Sequence, residues 1–259
     1  MSEKIRLVVC GALGRMGTRI LALADADPRF QPIAGVEHVG CGAKVSGDGH
    51  TPIKTDAGDA AKDADVVIDF TNFESAVTNA KKVAAVKKPL VIGTTGISPS
   101  DQKELAFLAK TIPIVMSPNM SVGVNVLFKI LADAAATLAH YDIEIVEAHH
   151  NQKTDAPSGT AMRLAEIAAD ASKRDKKDFM YGRQGQVGKR ANKEIGVLAV
   201  RAGDIVGDHT VYLAGPGERL ELVHRAHSRD AFAAGALTAA AWIIGKKPGM
   251  YSMRDVLGF

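Results

Sequence analysis

Residues 147–161, EAHHNQKTDAPSGTA, place two adjacent imidazoles, His149 and His150, just ahead of the ammonium of Lys153. Pro157 restricts Ala156 to extended backbone. Ser158 is a good N-cap, so the amides of Gly159 and Thr160 face outward at a helix start, a ready site for a carboxylate or phosphate. Lys153 adds a full positive charge, and a protonated His150 adds a second. Such a segment suits a small, multiply anionic molecule with an acid beside it. Neighbouring residues on a strand point to opposite faces, so His149 and His150 do not readily chelate one ion, and no HExxH or cysteine partner lies near. A metal is not expected. An isolated histidine is more often structural than catalytic; here the strand end, the lysine and the helix start together favour chemistry.

A reactant for that acid is suggested near the N-terminus. VVCGALGRMG sets Gly11, Gly14 and Gly17 between a strand and a helix. In a dinucleotide-binding turn one glycine permits the turn, another lets a pyrophosphate approach the backbone, and a third allows close helix packing. The spacing is a variant, with Ala12 where GxGxxG has its first glycine, and alone it describes a structural turn equally well. Glu37, twenty positions beyond Gly17, ends the second expected strand, where a carboxylate accepts from ribose hydroxyls. The binding segment then runs through Gly11, Ala12, Leu13, Gly14, Arg15 and Met16. A carboxylate at position 37 repels the extra phosphate of NADP, partly offset by Arg15 and His38, so a mild preference for NADH is expected. VIGTTG (91–96) and VMSPNM (115–120) leave strands at their carboxyl ends, where open α/β sheets bind ligands. Gly93, Thr94 and Thr95 suit a nicotinamide carboxamide, and Ser117, Pro118, Asn119 and Met120 its other side; simple capping by Thr, Ser and Asn is the competing reading. Beside a nicotinamide, the natural chemistry is hydride transfer to an electron-poor carbon, with a proton delivered to the neighbouring atom.

The elements that must position these groups change character along the chain. In the first half, strands expected at 5–10, 32–37, 64–70, 89–93 and 112–117 alternate with helices at roughly 14–26, 74–86 and 99–110, the pattern of βαβ units and a parallel sheet. A long helix over about 121–139 follows, then the alternating strand YDIEIVEAHH and a helix from Ser158 to about Ala171. Residues 173–193 are polar and Gly-rich and are expected to form a mobile loop. IGVLAVRAG, HTVYLAG and ERLELVHRAH are strands without helices between them, an antiparallel or mixed sheet, and an Ala-rich helix spans about 229–244. The fold class is therefore α/β followed by an open-sheet α+β domain.

Composition removes other classes. At 259 residues, with 46% apolar and 24% charged side chains, the chain can bury a substantial core. A net charge of +3, with four tyrosines and one tryptophan, argues against a nucleic-acid partner. Cys10 and Cys41 form no disulfide framework or CxxC site. The most apolar late stretch, 231–245, falls short of the roughly 20 residues that span a bilayer, so no membrane partner is expected. The N-terminus lacks the order of a secretory signal, and a cytoplasmic, reduced location is expected.

GALGRMG, VIGTTG, NMSVGVN, EIVEAHH with K.DAPSGTA, RAGDIVGDHTV and the terminal MRDVL closely resemble the 4-hydroxy-tetrahydrodipicolinate (dihydrodipicolinate) reductase family, from the first strand to the last residues. The EAHH-to-PSGTA segment is the most specific of these. The resemblance implies a Rossmann-like doubly wound parallel sheet, residues 1–120 completed by 230–259, and a substrate-binding and oligomerisation domain over 121–229 that closes by a hinge. It implies reduction of the dehydrated form of 4-hydroxy-tetrahydrodipicolinate to tetrahydrodipicolinate, with NADH or NADPH, on the diaminopimelate route to lysine, by a homotetramer. By similarity His149 is the proton donor and acceptor, and Lys153 a proton donor that also contacts substrate. His150, Gly159 and Thr160 would bind the carboxylates. Three departures stand out: His38 replaces an arginine common after the ribose-binding acid, HHNQK a more basic HHRHK-like form, and SPNM an APNF-like form. A dehydrogenase acting on an amino-acid semialdehyde and a dinucleotide-sensing binding protein are the alternatives; the latter has no use for a proton donor.

Overall fold

The computed structural model describes residues 3–38 and 51–259; Cys41 lies outside them. The chain forms two compact units, Met1–Val122 with Arg229–Phe259, and Gly123–Ser228. In chain order the first unit contributes β1 (Ile5–Cys10), α1 (Gly17–Ala26), β2 (Phe30–Val36), β3 (Ile53–Lys54), α2 (Ala57–Ala61), β4 (Val66–Asp69), α3 (Phe73–Ala85), β5 (Leu90–Ile92), α4 (Pro99–Leu108) and β6 (Pro113–Met116). α5 (Val122–Thr137), β7 (Asp142–His149), α6 (Gly159–Ser172), β8 (Phe179–Met180), β9 (Ile195–Arg201), β10 (Gly207–Gly215) and β11 (Glu218–Ala226) follow. α7 (Asp230–Ile243), β12 (Gly249–Tyr251) and α8 (Met253–Leu257) return to the first unit.

The first unit is a seven-stranded sheet in the order β12-β6-β5-β4-β1-β2-β3, parallel throughout. Its strands are short apolar runs because both faces are covered. Period-two alternation divides their side chains: Leu7, Val9, Ile68 and Val91 pack with α1 and α7, while Val8, Cys10, Val67 and Ile92 pack with α2, α3 and α4. Cys10 is thus a core residue, and burial pushes its thiol well up, which leaves it inert. The chain reverses direction across the sheet at β1, between β2 and β4, and the switch point beside its carboxyl end is where such sheets bind nucleotides.

The second unit is a mixed five-stranded sheet, β11-β10-β7-β9-β8. β10 is antiparallel to both neighbours, and β7 and β9 are parallel. One face packs Ile143, Ile145, Val197, Val211 and Leu213 against Leu127 and Leu131 of α5 and Leu164 and Ala168 of α6.

The expected elements appear, with differences at the edges. α1 begins at Gly17 rather than near 14, because Gly11 takes a left-handed φ of 79° and the chain turns through 11–16 first. The expected loop at 173–193 contains a 3-10 turn at Lys176–Asp178 and the strand β8. Its remainder is tied down: Arg183 pairs with Glu144 and Glu194, and Arg190 with Asp142 and Glu144. β3, α2, β12 and α8 are additional, each five residues or fewer and too short to carry a period.

Candidate functional site

In the first unit the glycines are explained by what crowds them. A β-carbon at Gly11 would lie 2.5 Å from the Phe70 carbonyl oxygen, and one at Gly17 would collide with the Gly11 carbonyl. The turn is therefore pressed between β4 and α1, while Leu13, Gly14 and Arg15 form its exposed rim; Ala12 is buried and Met16 half-buried. Met16 caps α1 with no side-chain bond, and no acid occupies the first turn, so the positive end of the helix is not neutralised from within. Glu37 reaches this turn, its Oε1 accepting from the Leu13 amide at 3.0 Å. A pocket of about 330 Å³ adjoins it, lined by Glu37, His38, Thr71, Glu74, Ser75 and Lys82 among others. Lys82 is engaged by Asp56 at 2.8 Å, and His38 Nε2 lies 3.4 Å from Ser75 Oγ. A cradle that admits no side chain, next to a carboxylate and a polar pocket, fits a dinucleotide.

The other two loops are more structural than their residue types suggest. Asp69, fully buried, accepts from the Thr71 amide and hydroxyl, from Thr94 Oγ1 at 2.9 Å and from Asn79 Nδ2 at 2.8 Å. The Thr94 hydroxyl is thereby committed to the fold, and Thr95 is the exposed one. Gly93 has no room for a side chain, because Phe70 fills that space. Ser117 Oγ donates to the Asn119 carbonyl at 2.8 Å, and Asn119 Oδ1 accepts from the Ser121 amide at 2.8 Å. Pro118 is exposed, whereas the Met120 side chain lies in the core, 2% exposed. What these loops offer outward is mainly backbone.

The second unit gathers the titratable groups. β7 alternates Ile143, Ile145, Glu147 and His149 on its helix-facing side, so the hydrophobic layer ends in a carboxylate and an imidazole. Glu147 has no exposed surface, and it accepts from His149 Nδ1 at 2.6 Å, from both terminal guanidinium nitrogens of Arg201 at 2.8 Å, and from the Ser158 amide at 2.9 Å. Burial works to raise this carboxyl, but the bonds from His149, Arg201 and Ser158 outweigh it and bring it down to about 2. Arg201 is supplied by register, standing opposite His149 in the β7–β9 ladder.

Ser158 caps α6, its hydroxyl accepting from Ala161 N at 3.1 Å. Gly159 opens the helix at an exposed position with nothing within 4 Å of a would-be β-carbon, and Thr160 follows, half-buried. His209 Nε2 lies 3.2 Å from Ser158 Oγ. Burial and then the neighbouring His149 push His209 down to about 3, so it is a neutral imidazole. Lys153 donates to both Asp155 oxygens at 2.8 and 3.0 Å. Burial would raise the Asp155 carboxyl; the bond and charge of Lys153 hold it below its usual range. Arg201 also donates to the Asp155 carbonyl at 2.8 Å. The His150 carbonyl accepts from Lys153 N at 3.1 Å. Among the described residues no group of three or more His, Cys, Asp or Glu side chains is arranged to hold a metal ion.

Reasoning from sequence alone overlooks Glu147, Asp155, Arg201, Gly207 and His209. A signal for Glu147 exists: it continues the apolar Ile143–Ile145 face, where a carboxylate must be paired.

Two family models cover the chain in succession, the N-terminal half of dihydrodipicolinate reductase over residues 5–120 and its C-terminal half over 123–257. A 4-hydroxy-tetrahydrodipicolinate reductase of Syntrophus aciditrophicus is 45% identical over 98% of this chain and 99% of its own. That of Aquifex aeolicus is 48% identical, with the same coverage of each. Among solved structures, a dipicolinate-bound dihydrodipicolinate reductase from Paenisporosarcina sp. TG-14 superposes with a TM-score of 0.79, over 96% of this chain and 98% of that one, at 22% identity, a likeness of fold. GenD2 from gentamicin A biosynthesis, in complex with NAD, gives 0.65 at 15% identity, over 99% of this chain and 91% of that one. With both halves matched and whole-length relatives close to half identical, the chain belongs to the dihydrodipicolinate reductase family.

Proposed function

We propose that the chain reduces the dehydrated form of 4-hydroxy-tetrahydrodipicolinate to tetrahydrodipicolinate, on the diaminopimelate route to lysine, with NADH or NADPH as reductant. One observation carries the reading: a single buried carboxylate, Glu147, bonds both the His149 ring and the amide that begins α6. An acid and an anion-binding helix start are thereby built as one piece.

In this reading residues Gly11 to Met16 and Glu37 hold the dinucleotide, and Gly93 to Thr95 with Ser117 to Met120 border the nicotinamide. When bound, the reduced nicotinamide supplies a hydride to an electron-poor ring carbon. His149 delivers the proton that completes the reduction. The amides of Gly159 and Thr160, with His150, take the substrate carboxylates, each charge-assisted bond contributing about 1.5–3 kcal/mol. Lys153 contacts the substrate and donates a hydrogen bond to it, holding its charge in place while the single proton comes from His149. Its present partner, Asp155, is 60% exposed. An exposed pair of this kind is worth about 0.2–1 kcal/mol, so an incoming carboxylate displaces Asp155 easily.

Glu37 and Glu74 both border the pocket beside the turn, and Lys82 there is already neutralised by Asp56. This favours NADH mildly over NADPH. A homotetramer built through the sheet of the second unit fits the exposed Val200 and Val223 on β9 and β11, 44% and 47% exposed. A cytoplasmic location goes with a nicotinamide-dependent biosynthetic step.

Steady-state NADH oxidation, coupled to the synthase that makes the substrate, tests the reading. Oxidation with an amino-acid semialdehyde alone points instead to the alternative dehydrogenase. Tight NADH binding without turnover on either points to a sensor.

A further inference from the structure

Each oxygen of Glu147 receives two donors. Oε1 accepts from Ser158 N and Arg201 Nη2, and Oε2 from His149 Nδ1 and Arg201 Nη1. An ionised carboxylate offers about four lone-pair sites and no hydrogen, so the set is full and every partner must donate. For His149 the consequence is specific: Nδ1 carries a hydrogen whether or not the ring is charged, and the proton exchanged is the one on Nε2. The glycine at 207 then has a reason. A β-carbon there would stand 3.0 Å from His149 Nε2, so a buried residue without a side chain leaves that nitrogen uncovered.

The other groups facing His149 do not substitute for Glu147. Arg201, from β9, repels a second positive charge. His209, from β10, meets the ring edge-on with centroids 5.2 Å apart and is neutral. Lys153 and Asp155, in the loop after β7, are paired with one another.

We propose that Glu147 is a positioning residue for the reduction: it fixes His149 as the Nδ1–H tautomer, reserves Nε2 for proton delivery, and locks that ring to the start of α6. The proposal rests on His149 being the proton donor, and its first test needs no turnover. In a long-range proton–nitrogen spectrum of the full chain, with His149 assigned by its loss in His149→Asn, the neutral ring shows a hydrogen on Nδ1 and a bare Nε2. A hydrogen on Nε2 instead overturns the proposal. Failure of the reductase reading is seen separately, as wild-type protein that oxidises no NADH.

The second test is a double-mutant cycle. Glu147→Gln lowers kcat by about 10²-fold, the low end of what a positioned acid contributes, with the NADH dissociation constant from fluorescence unchanged. In a His149→Asn background the same replacement costs less than about threefold, because the two residues act as a unit. Equal loss in both backgrounds overturns the proposal, since Glu147 would then act without His149. Should Glu147→Gln fail to fold, the wild-type spectrum still decides the tautomer.

Discussion

Glu147 stands directly opposite His209 in the β7–β10 ladder, and Ser158 joins the two, its amide bonded to the carboxylate at 2.9 Å and its hydroxyl 3.2 Å from the imidazole. One member of this buried pair is charged and the other neutral, because Glu147 has donors enough to stabilise its charge, whereas His209 is buried without the acceptors an imidazolium needs. His209 Nδ1 is buried with no hydrogen-bond partner among the described residues.

Both groups make the second unit acid-labile. Burial, reinforced by His149, puts His209 at about 3 in the fold against 6.5 when free. The unfolded chain therefore binds the proton first. Stability is complete above about pH 6.5 and is lost as pH falls toward 3. Glu147, at about 2 against 4.5, adds a loss in the same direction below about pH 4.5. Urea midpoints followed by the NMR signals of β7 and β10 should correspond to a fall on the order of 1–3 kcal/mol between about pH 6.5 and 4. His209→Gln should flatten that interval and leave the steeper fall below it. An unchanged slope in the variant means that His209 is not held neutral.

Replacing His149 by alanine removes the proton donor, and replacing Lys153 removes the ammonium that holds the substrate beside it, without touching the coenzyme cradle. Each variant should lose about 10²–10⁴-fold in kcat while NADH quenching titrations match wild type. A His149→Ala protein that reduces substrate at the wild-type rate rules out the acid assignment.

How far the sequence carries this site depends on where each residue's partner lies. His149, Lys153 and Ser158 are legible because their chemistry is local: a strand end, a charge and a cap within one segment. Arg201, Gly207 and His209 come some fifty residues later, and only strand register brings Arg201 opposite His149 and His209 opposite Glu147. Register is a tertiary fact that one segment's pattern does not contain. The fold class is legible for the opposite reason, since unbroken apolar strands alternating with helices mean a parallel sheet covered on both faces. Thr94 is the reverse case. Its type and loop suit a ligand, yet its hydroxyl serves the buried Asp69, a partner 25 residues away that local reading does not find.

Asp155 offers a test of substrate competition. Its side chain is the observed partner of Lys153 and is mostly exposed, while its attachment to Arg201 runs through the backbone carbonyl and survives truncation. Asp155→Ala should therefore free the ammonium without dislodging the loop. The KM for the dicarboxylate should fall about two- to fivefold, the equivalent of an exposed ion pair, with kcat little changed. A rise in KM would mean that Asp155 helps to bind substrate rather than competing with it.

Glu37 decides the last question, which coenzyme the turn prefers. Its Oε1 already accepts from the Leu13 amide, so Glu37→Gln can keep that bond through the amide oxygen while removing the charge. A unit charge near a 2′-phosphate costs about 1 kcal/mol at 4 Å in water and more where solvent is partly excluded. Neutralising it should improve the NADPH dissociation constant about tenfold and leave that for NADH within about twofold. Both constants are read by fluorescence on the unreacted protein, so the result is independent of turnover. If the ratio does not move, the charge at position 37 does not discriminate between the coenzymes, and the preference must come from His38 and the far wall of the pocket.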